Sequence, residues 1–421
     1  MSISKSSPLG RSKVADEAVE VARWIAERMR DPDDVQHCFI TSQSQQASHP
    51  QVPFSAASVS SGLAGSAILM SVMHERFPSE GWDRASHTHL AAATRDATAE
   101  PSLFGGLAGL LVAAEIVGGG VAYAGLRASI LERLRRICGD FQHMTGSAVS
   151  DNAFYELIRG GAGIYIALSA SGAVDACDTI AGFFERMTRD TTGRSWRGRS
   201  QVSLEEHLED VNNAGMSHGI SGVAAALSLG PSTPCSRLVM ERIGSWLSER
   251  CVVTESGTTM PCWIGKDGPQ PDRLAWCYGS PGTAAALAQA GTATGRPGLH
   301  EVSASLLHTI ARLPSTARPP MDEALCHGKA GILLCANVVA RLSGDDEARS
   351  LSEALLTQIV GAFDSKLALG YRALYPSGEG VDSPCLLIGA VGIALTLATA
   401  ANGEVPGWAR LLGLGCPLAP S

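Results

Sequence analysis

Two kinds of apolar run alternate along this chain. The first is apolar on every side and rich in small residues, as in VAAALSL after Gly222, TAAALAQ after Gly282 and ILLCANVVA after Gly331. The second is amphipathic. Leu126, Ile130, Leu134, Ile137 and Phe141 recur at helical spacing, with Arg and Glu residues on the other faces, which predicts a helix with one buried stripe. Further stripes of this kind predict helices over 18–29, 178–189, 237–250, 302–313 and 347–363. Each apolar run opens on Gly-x-x-Gly, and the motif occurs seven times, at Gly62/Gly65, Gly106/Gly109, Gly160/Gly163, Gly219/Gly222, Gly279/Gly282, Gly328/Gly331 and Gly389/Gly392. Successive first glycines are 44, 54, 59, 60, 49 and 61 residues apart. A repeat of this length marks stacked supersecondary units.

Each unit is then one apolar helix and one amphipathic helix. The first kind needs cover on every side and the second on one face only. An inner ring inside an outer ring satisfies both, so the expected fold is all-α, an (α/α)7 barrel or toroid of about fourteen helices, taken as a single domain over 1–421. The glycines allow tight turns and close approach. Two stretches interrupt the pattern, 192–203 and 251–273. Both read as loops or short strands inserted at one end, serving as a lid, a peptide-binding surface or ordinary connections.

Composition agrees with a large core: hydrophobic residues make up 45% of the 421, charged residues 18% and aromatic residues 5%, with 46 glycines. The net charge of −8 and the lack of a basic run speak against a nucleic-acid partner. The first fourteen residues have no apolar core of a signal peptide, and no apolar stretch approaches the roughly 20 residues of a membrane span. The expected setting is cytoplasmic, without membrane insertion. The 11 cysteines are scattered, and a reducing cytosol argues against a disulfide framework. Cys138, Cys177 and Cys335 read as small core residues.

The candidate chemistry lies at one repeated position. The two residues before each first glycine are Ser60-Ser61, Phe104-Gly105, Ile158-Arg159, Ser217-His218, Cys277-Tyr278, Cys326-His327 and Leu387-Ile388. In a closed barrel, equivalent positions lie at the same height, so His218, Cys277, Tyr278, Cys326 and His327 converge on one mouth. Two thiols and an imidazole suit zinc, and three protein ligands leave a fourth position open, as in catalytic sites. A structural zinc would want a fourth protein ligand, for which Cys262 and Cys385 remain open. Placement at helix N-termini favours thiolate.

The motifs Ser217-His218-Gly219, Trp276-Cys277-Tyr278-Gly279 and Cys326-His327-Gly328, together with the seven glycine pairs, resemble the lanthionine synthetase C-like family, the LanC cyclases. The resemblance spans nearly the whole chain, whose length is similar to that of a free-standing cyclase. It implies an (α/α)7 toroid with one zinc ion per chain on Cys277, Cys326 and His327. It also implies an activity, the addition of precursor-peptide Cys thiols to dehydroalanine or dehydrobutyrine to form thioether rings. A free thiol titrates near about 8.5, and a peptide thiol at the open zinc position would be deprotonated. His218 matches the family's catalytic His and is the expected acid/base. Arg273 matches its active-site Arg, to orient partners or stabilise an enolate. Where the family carries Asp, this chain has Tyr155-Glu156, and Glu156 keeps the carboxylate on a longer arm to pair with His218 or Arg273; Asp151 is a weaker alternative. Tyr278 could donate a hydrogen bond, and Trp276 either walls the site or packs. The implied partners are a dehydrated precursor peptide, core plus leader, and an assembly with a lanthipeptide dehydratase and transporter.

Three other readings compete. Protein prenyltransferase β subunits are also α/α barrels with zinc, but they have fewer repeats, an Asp ligand and no WCYG or CHG. Some LanC-like proteins bind glutathione or act on other dehydro residues. An inactive scaffold would have no physical need for the three ligands and His218.

Overall fold

The computed structural model describes residues 13–45, 53–144, 151–201, 207–266, 268–313, 321–374 and 379–417. Residues 1–12 of the polar N-terminus and residues 202–203 of the first insert lie outside that range. Helices and strands are numbered in chain order. Seven helices are each preceded by the first glycine of a pair as N-cap: α3 (Leu63–Arg76), α5 (Leu107–Val117), α7 (Gly161–Ala170), α9 (Ile220–Ser228), α11 (Ser280–Thr294), α13 (Lys329–Ser343) and α15 (Ala390–Thr399). Each packs on the next, and α15 packs on α3, so the inner ring closes. Every residue of α9 is buried, as an all-apolar helix requires.

Seven amphipathic helices surround them: α1 (Lys13–Glu27), α4 (Trp82–Arg95), α6 (Ala124–Phe141), α8 (Val174–Met187), α10 (Pro234–Ser248), α12 (Pro297–Arg312) and α14 (Asp346–Gly361). Six of these follow the inner helix they cover. The seventh, α1, lies against α15 and completes the last pair from the other end of the chain. On α6 the buried stripe is Ile130, Leu134, Cys138 and Phe141, with Leu126 and Ile137 partly buried beside it. The (α/α)7 expectation holds. Two helices were not foreseen: α4, and α2 (Pro32–Ser44), an extra helix that packs on α3 and α4.

A ring of main-chain hydrogen bonds ties the seven turns together. In every repeat the carbonyl two residues before the first glycine accepts an N–H from a neighbouring repeat. The acceptors are Phe104, Ile158, Ser217, Cys277, Cys326, Leu387 and Ser60, and Leu386 N–H donating to Ser60 O at 2.7 Å closes the circle. The second glycine of each pair makes this possible. A Cβ there would lie between 1.9 and 2.2 Å from the carbonyl oxygen three residues before the first glycine, in all seven repeats. The turn folds directly over the first helical turn, which no side chain permits. The side chains at that third position, Val59, Leu103, Leu157, Met216, Trp276, Leu325 and Leu386, are all buried. The C-terminal segment also reaches this interior, where Leu412 O accepts the Trp276 indole N–H at 2.9 Å and Gly413 O accepts from Gln289.

The two inserts form strands. Strands β1 (Gly198–Gln201) and β2 (His207–Asn213) pair antiparallel, and β2 pairs with β5 (Trp263–Gly265), which pairs with β6 (Gly268–Pro269). The inserts thus meet in one four-stranded sheet, with Asn213 opposite Trp263. Within the second insert β3 (Val252–Thr254) and β4 (Gly257–Thr259) make a hairpin on α12, and β7 (Ala373–Leu374) pairs with β8 (Gly380–Val381). Strand β2 runs straight into the fourth turn, and β6 leads into the fifth, so the sheet is continuous with the mouth.

Candidate metal centre and active site

The main-chain ring sets the site. Cys277 N–H donates to Cys326 O at 3.2 Å, so the two thiols spring from adjacent turns whose main chains are bonded to each other. His327 follows Cys326 directly. The two Sγ atoms and the ligand nitrogen of His327 all lie within 4.8 Å of one another, and among the described residues they are the one such group of His, Cys and carboxylates. Cys277 is buried, Cys326 half-buried and His327 exposed at the mouth. The Cys326 thiol hydrogen-bonds Cys277 and, with the His327 imidazole, holds the Cys277 thiol down to about 5. The same contact raises Cys326, and the hydrogen bond to Cys277 raises His327. This donor set closes on one point and favours a deprotonated sulfur, so the residues fit zinc. Cys262 and Cys385 stand outside the group, their thiols pushed up by burial to about 12 and about 11. A fourth protein ligand is absent among the described residues.

At the two helix N-termini the first N–H groups bond to the preceding loops. The first N–H groups of α13 donate to the carbonyls of Asp322, Glu323 and Ala324, and Ser280 N–H of α11 donates to the Asp272 carboxylate at 2.9 Å. The preceding loops consume these donors. Burial raises Asp272 to about 6.

His218 stands at the same position in the fourth repeat. Its Nδ1 is 2.7 Å from Glu156 Oε2. Glu156 is fully buried and also braces its own turn, accepting Ile158 N–H at 2.9 Å and Arg159 N–H at 2.5 Å. Ser58 and Ser102 accept the equivalent N–H in the first two repeats, from Ser61 and Gly105. Glu156 therefore fills a turn-bracing position and shares its Oε2 between Ile158 N–H and the imidazole. Asp151 instead caps Ala153 N–H at 2.9 Å.

Arg273 comes to the mouth through the fifth turn, which differs from the rest. Gly279 has φ +89°, and a Cβ there would lie 2.1 Å from Arg273 O. Only glycine permits that fold of the loop. The exposed Arg273 guanidinium then lies 5.0 Å from the Trp263 ring centroid and 5.9 Å from that of Tyr278. Tyr278 packs on Trp263 at 4.7 Å between centroids, lies 6.2 Å from the His218 ring, and is hydrogen-bonded through its hydroxyl to the Asn213 side chain. Trp276 is fully buried and points into the barrel interior, so it packs and does not wall the site.

The lanthionine synthetase C-like protein family model matches residues 53–412. The chain belongs to that family. No curated protein sequence matches it. Among solved structures, nisin cyclase matches with a TM-score of 0.69 at 18% identity, over 90% of this chain and 96% of that chain. At that identity the likeness is one of fold. The α-1,6-mannanase of Salegentibacter sp. HEL1_6 matches with a TM-score of 0.44 at 13% identity, over 92% of this chain and 100% of that chain.

On this LanC-like toroid the structure adds residues that sequence reasoning missed. Trp263, Asn213, Ser200, Asn152 and Asp272 all support the mouth. For Asn213 a signal existed: Asn213, Asp322 and Ser383 each stand six residues before a first glycine and accept the N–H two residues on. Nothing in the repeat points to Trp263 or Ser200, which come from the inserts.

Proposed function

We propose that this protein is a zinc-dependent lanthipeptide cyclase. It adds Cys thiols of a dehydrated precursor peptide, core plus leader, to dehydroalanine or dehydrobutyrine. The products are lanthionine and methyllanthionine rings. The observation that carries this reading is one mouth holding both a Cys2His donor set and a carboxylate-supported imidazole, in a chain of this family. The likeness in fold to nisin cyclase supports a peptide substrate.

Cys277, Cys326 and His327 are the residues to hold one zinc ion. Zinc bound there supplies Lewis acidity that keeps a peptide thiol deprotonated at neutral pH. The rest falls to the chain's own side chains. As sulfur bonds to the β-carbon, the C=C electron pair moves onto the α-carbon and its carbonyl as an enolate, and a proton must then reach the α-carbon. With Nδ1 held by Glu156, His218 keeps Nε2 to take up the thiol proton and return one to carbon. Arg273, steadied on Trp263 and Tyr278, is the cation for the enolate oxygen. Tyr278 walls the site, with its hydroxyl tied to Asn213. Glu156 orients His218, the role of the Asp common in the family.

This reaction consumes dehydro residues, so a dehydratase acting on peptide Ser and Thr must precede it. The proposed setting is cytoplasmic, with that dehydratase and a transporter as assembly partners. No helix among the described residues is long and apolar enough to cross a membrane.

Incubation with the dehydrated precursor, followed by thiol alkylation and mass spectrometry, tests the reading. One alkylatable thiol should disappear per ring formed, and counts equal to a no-enzyme control reject it. His218→Ala is expected to keep about one zinc per chain and to slow ring closure by about 10²–10⁴-fold. Wild-type rates in that variant would remove His218 from the mechanism.

A further inference from the structure

Ser200, on insert strand β1, is 1% exposed and lies at the centre of a polar network behind the mouth. Its hydroxyl oxygen accepts the Trp263 indole N–H at 2.9 Å and the Asn213 amide N–H at 2.8 Å. These two donors use both lone pairs. A third donor, the Asn152 amide, stands at 3.4 Å and gives its short bond, 2.6 Å, to His218 O. Each partner touches a different part of the proton-handling apparatus. Trp263 carries the Arg273 guanidinium and stacks on Tyr278. Asn213 binds the Tyr278 hydroxyl and braces the turn that leads to His218, accepting Gly215 N–H at 2.8 Å. Asn152 holds the carbonyl of His218 itself. None of these contacts reaches the Cys326-His327 turn.

We propose that Ser200 is the positioning residue for the proton-handling half of the site. One buried oxygen sets Trp263 and Asn213, and through them Arg273, Tyr278 and the turn that leads to His218. The inserted sheet is on this view a working part of the site. Removing the oxygen leaves an indole N–H and an amide buried without their acceptor. The groups they hold then shift by fractions of an ångström, enough to slow a reaction that depends on orientation. The metal ligands, held by the main-chain ring, stay in place.

The inference rests on the cyclase reading, and the experiment separates the two. Wild-type protein that closes no rings overturns the function, whatever Ser200 does. With active wild type, Ser200→Ala should bind about one zinc per chain and keep the wild-type KM for dehydrated peptide within about twofold, while kcat falls by about ten- to a hundredfold. Ser200→Thr, which retains the oxygen, should recover most of that kcat. If Ser200→Ala does not fold, Ser200→Cys, close in shape and a poor acceptor, takes its place with the same expectation. Wild-type kcat in the Ala or Cys variant overturns the proposal, as does loss of zinc in step with kcat.

Discussion

Repeats 4 to 6 and repeats 7, 1 and 2 present the same main chain to the mouth and different side chains. On one arc the paired positions hold Ser217-His218, Cys277-Tyr278 and Cys326-His327. On the other they hold Leu387-Ile388, Ser60-Ser61 and Phe104-Gly105. Yet the carbonyls of Leu387, Ser60 and Phe104 enter the hydrogen-bonded ring just as those of Ser217, Cys277 and Cys326 do. The first residue of each pair gives its main chain to the scaffold, and at Cys277 and Cys326 its side chain also joins the candidate metal site. Ring closure therefore does not depend on the chemistry, and the chemistry occupies one arc without weakening the other. Repeat 3 is the boundary: Glu156 braces its turn as Ser58 and Ser102 do on the silent arc, and reaches His218 on the active one.

The largest break of this comparison comes from the ligand thiols. Cys277→Ala leaves the main-chain ring intact and removes one of three donors. Zinc should be lost, and ring formation should fall by at least about a hundredfold. The melting curve should remain cooperative, since the backbone bonds to Ser217 and Cys326 persist. Leu387→Ala, at the same position on the silent arc, should keep its zinc. Metal analysis of the two variants decides the matter, and full zinc retention in Cys277→Ala would defeat the ligand assignment.

A second experiment asks whether the scaffold is common to both arcs. A Cβ on Gly331 would lie 1.9 Å from Leu325 O, and one on Gly109 would lie 2.0 Å from Leu103 O. Both atoms belong to backbone that cannot step aside. Gly331→Ala and Gly109→Ala should each cost about 3 kcal/mol or more of stability, though only the first lies beside a proposed metal ligand. A clear difference in their denaturation midpoints, with Gly109→Ala neutral, would show that the silent arc tolerates a looser turn and that the ring is not uniform.

The glycine pairs made the ring and the mouth legible in the sequence, because a turn that admits no Cβ leaves the same two letters in every repeat. Position within the repeat then brought His218, Cys277, Cys326 and His327 together across 109 residues. Helix α4 was not legible for a physical reason. Its buried face includes Ser86 and His89, whose ring bonds Ser66 Oγ at 2.7 Å and Arg30 O at 3.0 Å, so the apolar stripe is broken. The pairing of α1 with α15 joins the two ends of the chain, which periodicity does not register. Glu156 was legible as a carboxylate but not in its double duty. The network around Ser200 reaches 63 residues along the chain, to Trp263 on a strand that pairs with β2 and not with β1, and local pattern holds no trace of such an arrangement.

The smallest expected effect gives the finest test of the difference between the arcs. Gly105 occupies the position that His218, Tyr278 and His327 hold in other repeats, and it is a third kind of glycine in this chain. Its neighbours Gly106 and Gly109 face backbone at 2.1 and 2.0 Å. A Cβ on Gly105 would meet only the ends of side chains, Ser102 Oγ at 3.3 Å and the Glu100 carboxylate at 3.6 Å, and no left-handed φ stands in its way. Gly105→Ala should therefore change stability by no more than about 0.5 kcal/mol, with zinc content and ring formation as in the wild type. Denaturant titration and the thiol count measure both. A loss of stability near that of Gly109→Ala would mean that the turn has no room at the mouth position. The side chains of the active arc would then owe their places to a local distortion of the ring rather than to the freedom the ring leaves at that position.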